Sequence, residues 1–325
     1  MKKGLACFLC AVLIAACAAA FVGCDRVYIK GDFSTPATAD EIAEMRLALR
    51  SDDIGLGDES ADGWTYGVRM IATGGMTMDI DANVGTSLTL DSRYEMETDV
   101  DYATTFTKEN GSLVARSGGN VRLSLSEVSG EGNSLVSLDG SVYSEKGASY
   151  LNGKLEMSGT GSGGENDLSV KGKYIIPAGL SVGEMAGGFD VESGDFVPQV
   201  VSMVLEVLDR TGSTVYIDDG GSEVKVKVSL NVDGYIQYLE DAYSSLVSAL
   251  NLQDALKFDT ADYYFSYDKE TKAFTGYGAV AKASFEMESD GSSFSFKQDS
   301  AAWILVTDEP VEAPSDLDSY SEINA

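Results

Sequence analysis

A chain of 325 residues without a single histidine lacks the commonest general base, the imidazole of nucleophile relays and the usual zinc ligand. Carboxylates, Tyr, Lys and Ser remain as groups able to do chemistry. Glu95 and Glu97 are two residues apart, about 6.6 Å along a strand, a separation that glycosidase acid pairs use. Asp91, Arg93 and Asp99 extend that face into an open charged strip, however, with no apolar wall to raise one pKa above the other. Asp79-Ile80-Asp81-Ala82-Asn83-Val84-Gly85 starts like a calcium loop. Its glycine falls one place late, and Leu90 stands where a bidentate Glu is required. Ser222-Glu223-Val224-Lys225 fits S-x-x-K but opens an alternating strand and lacks the companion motifs of that chemistry. Gly159-Thr160-Gly161-Ser162-Gly163-Gly164 satisfies G-x-G-x-x-G, yet Leu168 to Ile176 alternates as a strand where a phosphate-binding helix would have to begin. No residue is assigned to catalysis, a metal or a cofactor, and the chain reads as a non-enzyme.

Charge narrows the partners. With 52 acidic against 23 basic residues the chain lacks the Lys and Arg clusters that neutralise phosphates, so nucleic acid is excluded. The same charge opposes attraction to anionic lipid surfaces, and membrane contact has to come from an anchor. The first residues supply one: Lys2 and Lys3, then an apolar run of Ala, Val, Leu, Ile and Phe, read as an export signal over 1–23. Phe21-Val22-Gly23-Cys24 resembles the bacterial lipobox, which implies cleavage before Cys24, a diacylglycerol on its sulfur and an extracytoplasmic protein anchored to the cell membrane. Cleavage removes Cys7, Cys10 and Cys17, leaving Cys24 alone and no internal disulfide. It also removes two lysines, taking the formal charge from −29 to −31. Such self-repulsion predicts carboxylate pKa values raised by folding and stability that grows as pH falls toward them. Residues 24–37 are expected to form a tether reaching at most about 45 Å.

The elements behind these residues follow from periodicity. Thr38-Ala39-Asp40-Glu41 has the form of a capping box, and Ile42, Met45 and Leu49 follow at spacings of three and four, which predicts a helix over 39–50. From Trp64 to Ile176 the period is two. Leu88, Leu90, Tyr94, Met96 and Val100 alternate with Thr89, Asp91, Arg93, Glu95, Glu97 and Asp99, and Met76, Met78, Ile80 or Val121, Leu123, Leu125 repeat the pattern. The dipeptides at 74–75, 110–111, 118–119, 139–140 and 152–153 read as hairpin turns between antiparallel neighbours. A helix apolar on nearly all sides, and so expected to be buried, is predicted from Phe196 to Asp209 with Gly212 as its stop, and another through Ile236, Leu239, Tyr243, Leu246 and Leu250. Strands at 215–217 and 224–230 and three more between Leu256 and Thr307 complete one domain over 38–309. The acidic segment 310–325 reads as a frayed tail.

One-sided antiparallel strands with an N-terminal helix and two inserted apolar helices resemble the LolA/LppX-like fold. The closest local likeness is Tyr263-Tyr264-Phe265-Ser266-Tyr267-Asp268-Lys269-Glu270-Thr271-Lys272, a strand entering an Asp-Lys turn, followed by a Pro-containing tail over Pro310 to Ile323. The resemblance implies an α+β protein with a large, curved, mostly antiparallel sheet forming a half barrel, apolar helices on its concave face and acyl chains held between. The expected function is non-enzymatic binding or carriage of a lipid or other hydrophobic molecule, with Tyr94, Met96, Tyr263, Phe265 and Tyr277 as wall residues. The alternative is a structural or interaction lipoprotein with a filled core and an acidic face toward an unknown protein partner.

Overall fold

The computed structural model describes residues 27–49, 65–83, 89–109, 112–129, 132–145, 148–161, 164–176, 196–247, 255–289 and 292–322. Helix α1 (Ala39–Leu49) starts where the capping box puts it. The Thr38 N–H donates to Glu41 Oε2 at 2.6 Å and the Glu41 N–H returns to Thr38 Oγ1 at 3.4 Å, so two otherwise orphaned donors are satisfied reciprocally. Strands β1 (Thr65–Asn83), β2 (Thr89–Glu109), β3 (Ser112–Ser129), β4 (Gly132–Glu145), β5 (Ala148–Gly161) and β6 (Gly164–Ile176) follow. Helix α2 (Phe196–Thr211) leads to β7 (Thr214–Asp218) and β8 (Glu223–Ser229). Helix α3 (Val232–Val247) leads to β9 (Leu256–Asp268), β10 (Phe274–Ser289) and β11 (Ser292–Thr307). A two-residue β12 (Ser321–Glu322) closes the order.

Among the described residues these strands make one open sheet in the order β12-β6-β5-β4-β3-β2-β1-β11-β10-β9-β8-β7. Every pairing is antiparallel except that of β12 with β6. The protein is therefore an α+β fold built on a large, mostly antiparallel sheet. Its centre is the β1–β11 ladder, from Gly67 opposite Thr307 to Asp81 opposite Ser293, which joins the β1–β6 meander to the β7–β11 half.

One face carries the helices. Helix α2 buries Val197, Val200, Val201, Val204 and Leu208 in one cluster with Met45 and Leu49 of α1, Val224, Val226 and Val228 of β8, and Phe265, Tyr277 and Ile304. At about 1.5–3 kcal/mol per buried aliphatic side chain, that face outweighs any propensity term. Helix α2 is amphipathic rather than apolar all round, since Pro198, Gln199, Ser202 and Glu206 are exposed. Gly212 ends it at φ +62°, the left-handed stop that glycine adopts without a Cβ clash. Helix α3 packs Ile236 beside Leu256, Phe285, Phe294 and Phe296, with Met76, Met78 and Ile80 of β1 alongside.

Four of the glycine dipeptides expected as turns lie inside strands instead. Residues 74–75 are in mid β1, 118–119 in β3, 139–140 in β4 and 152–153 in β5; the fifth, 110–111, lies outside the described residues, between the paired Glu109 and Ser112. At Gly119, Gly140 and Gly153 the missing Cβ serves close strand approach rather than a reversal. Gly140, Gly153 and Gly172 are cross-strand neighbours on the helix-bearing side, and a Cβ on Gly153 would lie 2.6 Å from the Gly140 Cα and 2.3 Å from the Asp139 carbonyl oxygen. A side chain at Gly140 or Gly153 would force the strands apart.

Both chain ends pack on the opposite, outer face. The segment expected to hang as a tether joins the fold from Val27 onward. Ile29 is buried with Ile71, Tyr264, Ala301 and Trp303, and Val27 and Phe33 pack against them. The arm then crosses the β7 edge, where the Asp32 N–H donates to Asp218 Oδ2 at 3.0 Å and the Ala37 N–H to the Val215 carbonyl at 2.8 Å. The tail expected to fray is strapped down as well. The Val311 N–H donates to Thr105 Oγ1 at 2.8 Å, Asp316 pairs with Lys173, Tyr320 meets Tyr150 edge-on at 5.5 Å, and β12 runs beside Tyr174 and Ile175. Open sheet edges demand such cover.

Five carboxylates depart individually from the expectation of repulsion-raised pKa values. Donors from Ser34, Thr38, Asp32, Thr271 and Lys173 hold Asp32, Glu41, Asp218, Asp268 and Asp316, respectively, below the usual carboxylate range. Each contributes stability present above its ordinary pKa and lost as pH falls through the lowered folded value, the reverse of what net repulsion predicts.

Trp303 is fully buried on the outer face directly opposite Gly278, where an added Cβ would come within 2.1 Å of the indole ring. Gly278→Ala should therefore lower the unfolding free energy in urea by about 1–3 kcal/mol through overpacking. Gly159→Ala, whose Cβ meets nothing within 4 Å, should stay within about 0.5 kcal/mol of the parent.

Candidate functional site

The helix-bearing face of β1–β6 is almost uncharged. Its inward positions are Tyr66, Val68, Met70, Ala72, Met76, Met78 and Ile80 on β1, Tyr94, Met96, Thr98, Val100 and Tyr102 on β2, and Val121, Leu123 and Leu125 on β3. Leu138 and Val142 on β4 and Leu151 and Leu155 on β5 continue it. Asp91, Arg93, Glu95, Glu97 and Asp99 point the other way and are exposed, so the solvated reading of the Glu95/Glu97 pair fits. Arg93 Nε donates to Glu95 at 2.8 Å. Asp79 and Asp81 stand on β1, on the outer side. Lys225 stands on β8, 3.9 Å from Glu223. No group of three or more metal-ligating side chains forms among the described residues.

Exposure along the inner face is graded. Val121, Val142 and Leu151 are buried in one cluster, and Leu123, Leu138 and Leu155 pack against it half-buried. One step further along the strands, Leu125, Val136 and Met157 are exposed at 45%, 44% and 45%. These three are direct cross-strand neighbours and continue the line of Met76 and Met96. An apolar row therefore runs from beside α3 out onto uncovered sheet. At the rim one step beyond lie Tyr94, Glu127 and Ser134, again cross-strand neighbours. The Tyr94 hydroxyl donates to Glu127 Oε1 at 2.8 Å and Ser134 Oγ to Glu127 Oε2 at 3.3 Å. Partial burial, then the bond to Glu127, raises the Tyr94 pKa.

The five residues singled out as walls fall in two places. Tyr94 and Met96 belong to the open row and its rim. Phe265 and Tyr277 are 1% and 2% exposed beneath α2, with Tyr263 packed against the same cluster, and β9 stands four strands from β2, roughly 19 Å across the sheet. Phe265 and Tyr277 fill a core instead of facing an open space. Leu125 is on the predicted alternating face. Val136 and Met157 were not singled out, and only the register of β3, β4 and β5 aligns them with it. Cys24, like residues 1–26 as a whole, lies outside the described residues.

An open depression of about 460 Å³ lies at the far end of the outer face, lined by Asp79, Asp81, Asp91, Arg93 and Val128 among others. Its acidic wall is unlike the apolar row. Among the described residues no helix is long and apolar enough to cross a membrane. No protein-family model matches the chain, and no curated protein matches it either.

Burial raises the phenol pKa values of Tyr66, Tyr264 and Tyr277, and burial with the bond to Glu145 pushes Tyr143 up to about 12. Unfolded tyrosine ionises near 10. The stabilising difference is whole below that pH and is lost as pH rises toward the folded values. Absorbance titration at 295 nm should show a tyrosine subset that ionises only together with the loss of near-ultraviolet circular dichroism.

Proposed function

We propose that this protein is an extracytoplasmic lipoprotein, anchored to the cell membrane through a lipid on Cys24, that binds or carries a hydrophobic molecule on the concave face of a half-barrel sheet. The observation that carries the reading is the uncovered apolar row Leu125, Val136 and Met157, continuous with half-buried Met96 on the helix-bearing face. Exposed apolar surface of this kind, bounded by polar residues, marks interaction or ligand-binding sites more often than chance. The row is an open strip rather than a closed chamber, which suits an acyl chain lying across strands. Phe265 and Tyr277 contribute by fixing α2, and contact with ligand is assigned to Tyr94, Met96 and the row.

The chain is packed from Val27 onward, three residues after the proposed anchor at Cys24. At about 3.5 Å per residue three residue steps reach at most roughly 10 Å, so a lipid on Cys24 would hold the domain close to the bilayer. The alternative reading, an interaction lipoprotein, draws on the exposed carboxylates of β2, which offer an acidic surface to a basic protein partner.

Two measurements test the proposal. Full-length protein expressed with its signal should partition into the detergent phase, and Cys24→Ser should move it to the aqueous phase. A fluorescent long-chain lipid probe should bind the domain, and Val136→Asp should weaken that binding tenfold or more, because a carboxylate set in an apolar contact must be desolvated or neutralised. Circular dichroism identical to the parent shows that the variant folds. A well-folded parent that takes up no probe removes the carrier reading and leaves the interaction module.

A further inference from the structure

Glu127 stands out on the inner face of β1–β6. The β3 strand turns Leu123, Leu125 and Glu127 to the same side, and the row beyond the exposed apolar residues consists of Tyr94, Glu127 and Ser134. Carboxylates elsewhere on these strands project from the solvated outer face or pair with cations, as Asp101 does with Arg69 and Glu145 with Arg116. No ion pair to Glu127 occurs among the described residues. Its two oxygens each accept one neutral hydroxyl, from Tyr94 and Ser134. A carboxylate offers about four acceptor sites, so among the described residues roughly two stay untaken on the half-buried Glu127, which shares its face with Leu125 and Val136.

Resting on the carrier reading of the same face, we propose that Glu127 is the head-group receptor of the site and that the ligand is a single-chain amphiphile whose head donates hydrogen bonds and bears no negative charge. The chain lies along Leu125, Val136 and Met157. The head, an ammonium or hydroxyl group, donates to Glu127. Tyr94 and Ser134 are positioning residues that orient the carboxylate. Charge complementarity sets the selectivity: an anionic head would face Glu127 with no cation to offset it, within a protein whose whole-chain charge is −29, whereas a cationic or neutral donor fits both the local carboxylate and the surrounding field.

Three probes of equal chain length decide the matter: dodecylamine, monododecanoylglycerol and dodecanoic acid, each titrated by calorimetry below its micelle concentration in 0.5 M NaCl. At that salt the long-range field is screened within a few ångströms and the local contact dominates. The amine and the glyceride should bind at least about tenfold more tightly than the acid. Glu127→Gln should collapse the amine's advantage over the acid to within about threefold. Glu97→Gln, the same charge change on the exposed outer face, should leave the parent's order intact. Tyr94→Phe removes one orienting bond without touching the charge, and should cost the amine about two- to fivefold while sparing the acid. Equal affinity for all three probes, or an order that survives Glu127→Gln, overturns the head-group assignment and leaves the carrier reading standing. Absence of binding by any probe to folded parent overturns both.

Discussion

The ladder between β1 and β11 is the constraint on which the rest depends. It pairs a strand beginning at residue 65 with one ending at residue 307, and every other strand is hung from one side of it or the other. Local hairpins can form as the chain emerges, but the two halves acquire a common face only when the last long strand docks beside the first. Closing so long a loop is entropically costly, and the cost is recovered by burial that no single half achieves. Tyr66 and Val68 of β1 and Ile304 of β11 lie in the same cluster as α2, so the helix is seated by residues from both halves.

That division explains the two characters of the inner face. Where α1, α2 and α3 lie on it, aromatic and β-branched side chains interdigitate to full burial. Across β3, β4 and β5 the same alternation continues, and the side chains become more exposed toward the rim. An amphipathic strand does not encode whether its apolar face meets a helix, a ligand or water. That depends on where the helices land.

Much of the architecture was legible in residue order. The capping box at Thr38, the alternation through β2 and β8, the Asp268 turn and the Gly212 stop each rest on local stereochemistry, and each is found where expected. The glycine dipeptides misled because two physical uses share one residue. A missing Cβ permits a tight reversal and equally permits two backbones to approach closely, and only the pairing register separates them. The chain ends misled for a related reason. Ile29 and Tyr320 sit in polar segments whose composition reads as tether and tail, and their partners Trp303 and Tyr150 are remote in sequence. The candidate wall residues were chosen by face, which the period of two reveals. Their positions along and across the sheet, which decide between core and open row, depend on how five hairpins align.

The straps at the two ends of the sheet limit how another polypeptide could join it. A partner that adds a strand needs a free row of backbone donors and acceptors at an edge. On one side that row belongs to β7, only five residues long and partly engaged by Ala37. On the other it belongs to β6, where Ser321 and Glu322 occupy the stretch at Tyr174 and Ile175. Recognition by main-chain augmentation at either of those stretches would first have to displace a segment of the protein itself. A partner that docks at those strapped stretches and leaves them in place must read side chains, so its specificity there would track surface substitutions rather than strand propensity.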